Sequence, residues 1–218
     1  MFTHITDKPT LPELVANTTP NGRRYTTPEG AIYPSVTTVL GSQSKEGIEA
    51  WKKRVGEEEA AKVLAQAGVR GTEVHELAEN YINNVPDWSK GFQPINLFTF
   101  NSIKPLLDKH LDNIMYQECP LYSDKLQTAG RLDCLAEWDG ELAIVDFKTS
   151  RKPKKREWIH SYFCQAAFYA AAFYERTGIS IKKSVIVMAI DEHEPEVFVE
   201  STFEWLPKFI EIRKQYDA

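Results

Sequence analysis

The chain has 218 residues, enough for one domain with a sizeable core, and 26 Lys and Arg against 31 Asp and Glu give a formal charge of −5. No run of roughly eighteen apolar residues is present, which excludes a membrane-spanning helix. The three cysteines, Cys119, Cys134 and Cys164, are odd in number and widely spaced, which argues against a disulfide framework and a zinc site.

The N-terminal part is predicted to be irregular at first. Residues 1–21 are polar, contain several prolines and carry no secretory or organellar signal, so we expect an irregular arm and a cytoplasmic location. Residues 23–33 predict a short hairpin that turns at 28–30. A short helix follows, and the hydroxyl of Ser35 or Thr37 can cap it.

Four helices are predicted next, because apolar residues recur at helical spacing. The first covers 44–55, Gly56 and Gly68 bracket the second, and the third covers 71–83. The fourth covers 96–113. The apolar stripe of the first helix, predicted to face the core, consists of Ile48, Trp51 and Val55.

The second half alternates strands and helices, which predicts a mixed sheet with helices on both faces. The predicted elements are a strand at 114–122, a hairpin at 129–149, a long helix at 157–176, strands at 183–190 and 195–200, and a terminal helix at 203–216. One face of the long helix carries Trp158, Tyr162, Gln165 and Tyr169.

The hairpin at 129–149 is the most informative stretch. Asp139-Gly140 between two apolar runs is typical of a two-residue type I′ turn, which needs positive φ at both positions. Counting back from this turn places Asp133 opposite Asp146, with Cα atoms about 4.5 Å apart. Side chains alternate along a strand, so Lys148 shares the face of Asp146. The turn therefore predicts a carboxylate pair with a lysine beside it.

Two carboxylates this close repel each other unless positive charge lies between them. A divalent cation supplies that charge, and Mg²⁺ is a hard ion that binds one or two carboxylates. The alternative is an edge hairpin whose acids are solvated and whose lysine is a simple ion-pair partner. Leu142, Ala143, Ile144, Val145 and Phe147 make both faces of the second strand apolar, which favours a central, buried strand and hence the metal site.

A basic run follows the hairpin, although the whole chain is acidic. Six of the nine residues from 148 to 156 are basic: Lys148, Arg151, Lys152, Lys154, Lys155 and Arg156. An isolated run of this kind is usually a solvated loop. Its position next to the carboxylate pair instead favours a track for nucleic-acid phosphates.

Three ordered motifs carry a family resemblance. They are Pro34–Leu40, Arg70-Gly-Thr-Glu-Val-His75, and the block from Gly130 through Asp133 and Asp146-Phe-Lys148, followed by Gln165-x-x-x-Tyr169. Together they resemble the RecB-like branch of the PD-(D/E)XK nuclease superfamily, most closely the mitochondrial genome maintenance exonucleases and their phage-encoded relatives. Leu132 stands where the superfamily name implies proline.

The resemblance implies an α/β fold with a restriction-endonuclease-like core, an α-β-β-β-α-β mixed sheet flanked by helices, below an N-terminal helical arch. It further implies one nuclease domain, with the hairpin and arch in 1–113 and the catalytic core in 114–218. The implied cofactor is Mg²⁺, with Mn²⁺ as a possible substitute. The four cysteines that hold an iron–sulfur cluster in some relatives are lacking, so no such cluster is expected.

The resemblance also implies roles for individual residues. The implied metal ligands are His75, Asp133, Asp146, the backbone carbonyl of Phe147 and Glu118. Lys148 would activate water, and Gln165 and Tyr169 would support the scissile phosphate. The expected nucleic-acid contacts are Ser35, Thr37, Thr149, Arg151, Lys152, Lys154, Lys155 and Arg156.

The expected function is a divalent-metal-dependent DNA exonuclease that acts on single-stranded DNA in replication, recombination or genome processing. Replication or recombination proteins are possible partners, and a phage-encoded enzyme would work in the host cytoplasm. Two alternatives remain open: a structure-selective endonuclease that uses the same site, and a non-catalytic nucleic-acid-binding module that retains the fold.

Overall fold

A computed structural model describes residues 1–216 of the chain. The N-terminal elements are β1 (Val15–Thr19), β2 (Gly22–Thr26), β3 (Ile32–Pro34), α1 (Val36–Gly41), α2 (Lys45–Val55), α3 (Glu57–Ile82) and α4 (Pro94–His110). The remaining elements are β4 (Leu111–Ser123), β5 (Thr128–Trp138), β6 (Glu141–Ser150), α5 (His160–Thr177), β7 (Lys183–Ile190), β8 (Glu196–Ser201) and α6 (Thr202–Tyr216).

The main sheet has five strands in the order β4-β5-β6-β7-β8. All neighbours are antiparallel except β6 and β7, which are parallel and joined by the crossover helix α5. Parallel neighbours require such a crossover because a tight turn cannot connect them. The predicted mixed sheet flanked by helices is therefore confirmed.

Each face of the sheet is covered by its own set of helices. The second half of α3 and α4 pack on one face through Leu77, Ile82 and Phe100. Helices α1, α5 and α6 cover the other face, where Phe168 and Phe209 are fully buried. Since β5, β6 and β7 are buried on both faces, their central residues are apolar almost without interruption.

A second, three-stranded sheet, β1-β2-β3, lies before α1. The predicted hairpin at 23–33 is confirmed, because β2 and β3 pair antiparallel. The prediction of an irregular arm is wrong for Val15–Thr19, which pairs with β2. Every residue of this strand is exposed, so it lacks the apolar alternation by which a half-buried strand is recognised.

Helix α3 corrects another prediction. Gly68 and Gly71 were expected to end one helix and open the next, yet both lie inside a single helix of 26 residues. An interior glycine costs a helix only about 1 kcal/mol relative to alanine, so neighbouring turns and packing can carry the helix across it.

Helix α2 and the part of α3 before Gly71, here called the arch, stand away from the core. Helix α2 has no buried residue, and before Gly71 only Ala60 of α3 is buried. The prediction that Trp51 lies in the core is therefore wrong, because this side chain is only half-buried. The amphipathic pattern predicted a helix correctly, but it did not predict how deeply the helix is buried.

Two helix ends also differ from the prediction. Helix α4 ends at His110, and the chain enters β4 at Leu111 rather than continuing to 113. Trp158 belongs to a short 3₁₀ turn before α5 and is 63% exposed, so it does not share the buried face of Tyr169.

Candidate active site

The β5–β6 hairpin has the predicted turn and the predicted register up to the residues next to Asp133 and Asp146. Asp139 and Gly140 have φ of 54° and 75°, and Trp138 pairs with Glu141. The ladder continues to Cys134 and Val145, one step before the aspartates. There the strands separate, because the backbone N–H of Phe147 donates to Oδ2 of Asp133 at 2.8 Å.

Glu118 reaches the same position from the neighbouring strand. Gln117 pairs with Cys134 and Cys119 pairs with Leu132, so Glu118 lies beside Asp133. Its φ of 46° is unusual for a residue other than glycine inside a strand, and such strained residues cluster at functional sites. Burial, and then the charge of Asp133, raise the pKa of the Glu118 carboxyl to about 7.

Helix α3 adds His75 to these two acids. Nδ1 of His75 lies 3.5 Å from Oδ2 of Asp133. One ligand atom from each of His75, Glu118 and Asp133 lies within 4.8 Å of the other two. Two carboxylates and an imidazole suit Mg²⁺ or Mn²⁺, and burial with the nearby charge of Asp133 disfavours the charged form of Glu118 while no cation is bound. These residues therefore fit a divalent metal ion.

Asp146 is held differently from Asp133. It is 1% exposed, and Nε2 of Gln165 donates to its Oδ1 at 3.0 Å. Its Oδ2 forms an ion pair with Nζ of Lys148 but accepts no hydrogen bond of good geometry, which leaves room for a further positive partner. In the described part of the chain, Asp146 lies outside the compact group of His75, Glu118 and Asp133.

The charges of Asp146 and Lys148 depend on each other. Burial raises the pKa of Asp146 to about 6, although the charge of Lys148 opposes this shift. Burial disfavours the charged form of Lys148, but Asp146 and Asp133 outweigh it and raise the pKa of the lysine. Lys148 also lies 5.2 Å from the centre of the Tyr162 ring. Lys148 is therefore protonated at neutral pH.

Tyr169 supports strand β5 from the helix behind it. Its side chain is 2% exposed, and its hydroxyl donates to the carbonyl of Arg131 at 2.7 Å. A Cβ atom on Gly130 would lie 2.8 Å from the Tyr169 ring, so this approach needs glycine. The geometry explains why glycine and tyrosine occur together in the motif, and it makes Tyr169 a positioning residue for β5.

The predicted phosphate contacts after β6 differ in exposure and in whether they are already paired. Arg151, Lys152, Lys154 and Lys155 are exposed, and Thr149 is half-buried. Arg156 donates two hydrogen bonds to the carboxylate of Glu200, at 2.5 and 2.6 Å, and so is already paired. The basic run thus offers an exposed cationic loop after β6 that ends in a structural ion pair.

The residues predicted at the start of α1 also differ. Ser35 is 2% exposed, and its Oγ accepts from the backbone N–H of Thr38 as the cap of α1. Its expected direct contact with nucleic acid is therefore not supported, because the hydroxyl is used inside the protein. Thr37 is exposed.

His75, Glu118 and Asp133 are here called the metal group, because they fit a divalent ion. The group opens into a cavity of about 630 Å³. Its lining residues are Arg23, Gly71, Thr72, His75, Glu76, Glu79, Asn80, Glu118, Arg131 and Asp133. The sequence contains a signal for Arg131, because side chains alternate along a strand and Arg131 is two residues before Asp133. It gave no signal for Arg23, whose position depends on how the three-stranded sheet packs against β5.

A five-stranded mixed sheet, with acids and a lysine at the point where β5 and β6 separate, is typical of a class of nucleases. A comparison with family models identifies the same class. The family model of the PD-(D/E)XK nuclease superfamily matches residues 49–196. The chain therefore belongs to the PD-(D/E)XK nuclease superfamily, whose nucleases use divalent metal ions.

Similar curated proteins carry an exonuclease name. Mitochondrial genome maintenance exonuclease 1 of Homo sapiens is 29% identical over 180 residues, which cover 75% of this chain and 51% of the human protein. The protein of the same name from Xenopus tropicalis is 25% identical and covers 74% and 50%. This chain therefore spans about half the length of these relatives.

Among solved structures, a candidate exonuclease from Eubacterium rectale is 16% identical, with a TM-score of 0.47 and coverage of 68% of this chain and 64% of that one. Among the helices that the structure describes, none is long and apolar enough to cross a membrane.

Proposed function

We propose that this chain is a divalent-metal-dependent exonuclease that hydrolyses phosphodiester bonds in single-stranded DNA. The observation that carries the proposal is the meeting of His75, Glu118 and Asp133 in one compact group, beside the ion pair of buried Asp146 and half-buried Lys148. Membership of a nuclease superfamily and the names of the curated relatives support it.

The proposed metal ligands are Asp133, Glu118, His75, Asp146 and the carbonyl of Phe147. A bound Mg²⁺ would polarise the scissile phosphate and neutralise charge that develops on it. Glu118 is poised to give up a proton on metal binding, because burial and then the charge of Asp133 raise the pKa of its carboxyl to about 7 in the metal-free protein.

The protein's own contribution is to orient a lysine. Asp146 holds the Lys148 ammonium, and Gln165 fixes the other oxygen of that carboxylate. The ammonium can therefore position an attacking water or stabilise a phosphate oxygen, and its side chain is only 17% exposed, which limits competing solvent. Gln165 acts through Asp146 in this arrangement, and Tyr169 keeps the backbone of β5 in place.

Two surfaces support a single-stranded substrate. The exposed loop carrying Arg151, Lys152, Lys154 and Lys155 supplies positive charge next to Lys148 for a phosphate backbone. The arch leads from α1 to the helix that carries His75, and we propose that a single strand passes beneath it. The cytoplasmic location and a phage source stay predictions.

The proposal is tested with a labelled single-stranded oligonucleotide and Mg²⁺. We expect Asp146→Asn and Lys148→Ala to lower kcat by at least about a hundredfold, because each removes a group that acts on the reacting phosphate or water. Asp7→Asn and Lys208→Ala, at exposed positions, serve as matched controls. Cleavage by the two site variants within a few-fold of wild type would end the assignment.

A circular single-stranded DNA substrate distinguishes an exonuclease from an endonuclease. An exonuclease needs a free end and leaves the circle intact while it digests the same sequence in linear form. Nicking of the circle at a comparable rate would favour a structure-selective endonuclease, and binding of both without cleavage would favour a non-catalytic module.

A further inference from the structure

Two arginines line the cavity above the metal group, and the proposed chemistry uses neither. Arg131 is exposed on β5, two residues before Asp133 and on the same face of the strand. Arg23 is exposed on β2 and reaches the same cavity from the three-stranded sheet. Nε of Arg23 donates to the hydroxyl of Thr18 at 3.2 Å, which leaves the terminal nitrogens of its guanidinium for other partners. Within residues 1–216, neither guanidinium forms an ion pair, so no carboxylate neutralises either charge by direct contact.

The segment at the start of α1 fixes the backbone of Arg23. The carbonyl of Arg23 accepts from the N–H of Ser35 at 2.8 Å, and its N–H donates to Oγ1 of Thr38 at 3.1 Å. A Cβ atom on Gly22 would lie 2.4 Å from the Thr38 side chain, so β2 approaches α1 closely. Ser35 also forms a bridge to Ala129 of β5.

These contacts give the motif at 34–40 a structural purpose. Ser35 and Thr38 connect β2 to β5, the strand that carries Arg131 and Asp133. The motif therefore holds Arg23 at a fixed place relative to the metal group, instead of touching nucleic acid through Ser35.

The charges on the cavity wall explain why such arginines are needed. Glu76, Glu79, Glu118 and Asp133 all line it, so a polyanionic strand is repelled from this side of the site. A metal ion held by Glu118 and Asp133 offsets charge only at the phosphate it contacts. Arginine binds a phosphate through two parallel N–H donors, which makes it the suited residue for the next phosphate along the strand.

We propose that Arg23 and Arg131 together bind the phosphate of the nucleotide next to the scissile bond in a single-stranded substrate. The proposal rests on the proposed nuclease function and adds to it a second phosphate site, built by β2 and β5. The part of β2 in this site lies before residue 49, outside the region matched by the family model.

The first test measures binding of a fluorescent single-stranded oligonucleotide at several salt concentrations, with Ca²⁺ in place of Mg²⁺. We expect Arg23→Ala and Arg131→Ala each to weaken binding three- to tenfold and to reduce the slope of log affinity against log salt by about 1. Arg24→Ala is the matched control, because Arg24 is equally exposed but points to the opposite face of β2. Thermal unfolding shows that each variant is folded.

The second test places one neutral methylphosphonate linkage at each position of the oligonucleotide in turn. In the wild type, one linkage beside the cleaved bond should weaken binding three- to tenfold. The Arg23→Ala/Arg131→Ala double variant should lose less than twofold at that linkage. The same sensitivity in the double variant, or single variants that match Arg24→Ala, would overturn the second phosphate site.

Cleavage by the wild type in Mg²⁺ is measured beside these assays and keeps the two proposals apart. If the wild type binds with the predicted arginine dependence but cleaves nothing, the nuclease proposal fails and the phosphate site stands. If it cleaves and neither arginine matters, the phosphate site fails alone.

Discussion

The five-stranded sheet and the arch are built on opposite principles. In β6, the residues from Ala143 to Phe147 are buried. Helices cover both faces of the sheet that carries Asp133 and Asp146. In the arch, α2 has no buried residue, and Ile48, Val55 and Leu64 are exposed. Both regions contribute to one proposed site, yet only the sheet is fixed by a hydrophobic core.

The two regions are suited to different tasks. Groups that take part in chemistry must be held accurately, and here they lie on central strands. Such strands open only when the whole domain unfolds. The arch has few buried contacts and so opens at low free energy, which suits a segment that must admit a strand of DNA. Substitutions in the two regions should therefore have effects of different size and even opposite sign.

The largest effect is expected for Gly130→Ala in the sheet. Its new methyl group would meet the Tyr169 ring at 2.8 Å, and the ring cannot easily yield because it is buried and its hydroxyl is bonded to Arg131. We expect the free energy of unfolding to fall by about 2 to 3 kcal/mol. Urea denaturation measures this change, and a loss below about 0.5 kcal/mol would show that the sheet is less rigid than described.

A smaller effect with a pH dependence is expected for Glu118→Gln. The pKa of Glu118 rises from 4.5 to about 7 on folding, so the folded protein binds the proton more tightly than the unfolded chain. The metal-free wild type therefore loses stability as pH rises through this window. Allowing for partial solvent exposure, the cost at pH 8 is roughly 1 to 2 kcal/mol.

Glu118→Gln removes this cost, so its metal-free form should melt about 2 to 6 °C above wild type at pH 8 and no higher at pH 4.5. Addition of Mg²⁺ should raise the melting temperature of the wild type more than that of the variant. A variant that is less stable than wild type at pH 8 would contradict the interpretation that the charged form of Glu118 destabilises the metal-free protein.

The smallest effect is expected in the arch, for Gly68→Ala. Gly68 is exposed inside α3, and a Cβ atom there would meet nothing within 4 Å. Alanine should strengthen the local helix by up to about 1 kcal/mol. Hydrogen exchange of residues 57–70 should slow several-fold while the melting temperature changes little. An increase in melting temperature as large as that of Glu118→Gln would mean that the arch unfolds with the sheet.

The sequence predicted the central hairpin because its turn chemistry and its burial agree. Asp139-Gly140 fixes the register, and the apolar run in β6 fixes the depth. Asp133, Asp146 and Lys148 follow by counting along the two strands of the hairpin. Local rules were sufficient here because the hairpin is a local structure.

Other features depend on tertiary packing and could not be read from the sequence. Every residue of strand β1 is exposed, and the strand is recognised only by its pairing with β2. Helix α3 continues through two glycines that local rules treat as ends. The sequence also joined Asp133 and Asp146 as one pair, whereas Gln165 and Lys148 hold Asp146 and leave Asp133 with His75 and Glu118. The single-domain division stays a prediction.

The proposed activity depends on the binding of a divalent metal ion by Asp133, Glu118 and His75. Isothermal titration of Mg²⁺ into the folded protein at pH 8 measures this binding, with Asp7→Asn as a control. We expect saturable binding by wild type and the control, and affinity at least about tenfold weaker in Asp133→Asn. No saturable binding by the wild type, or equal affinity in Asp133→Asn, would contradict the account.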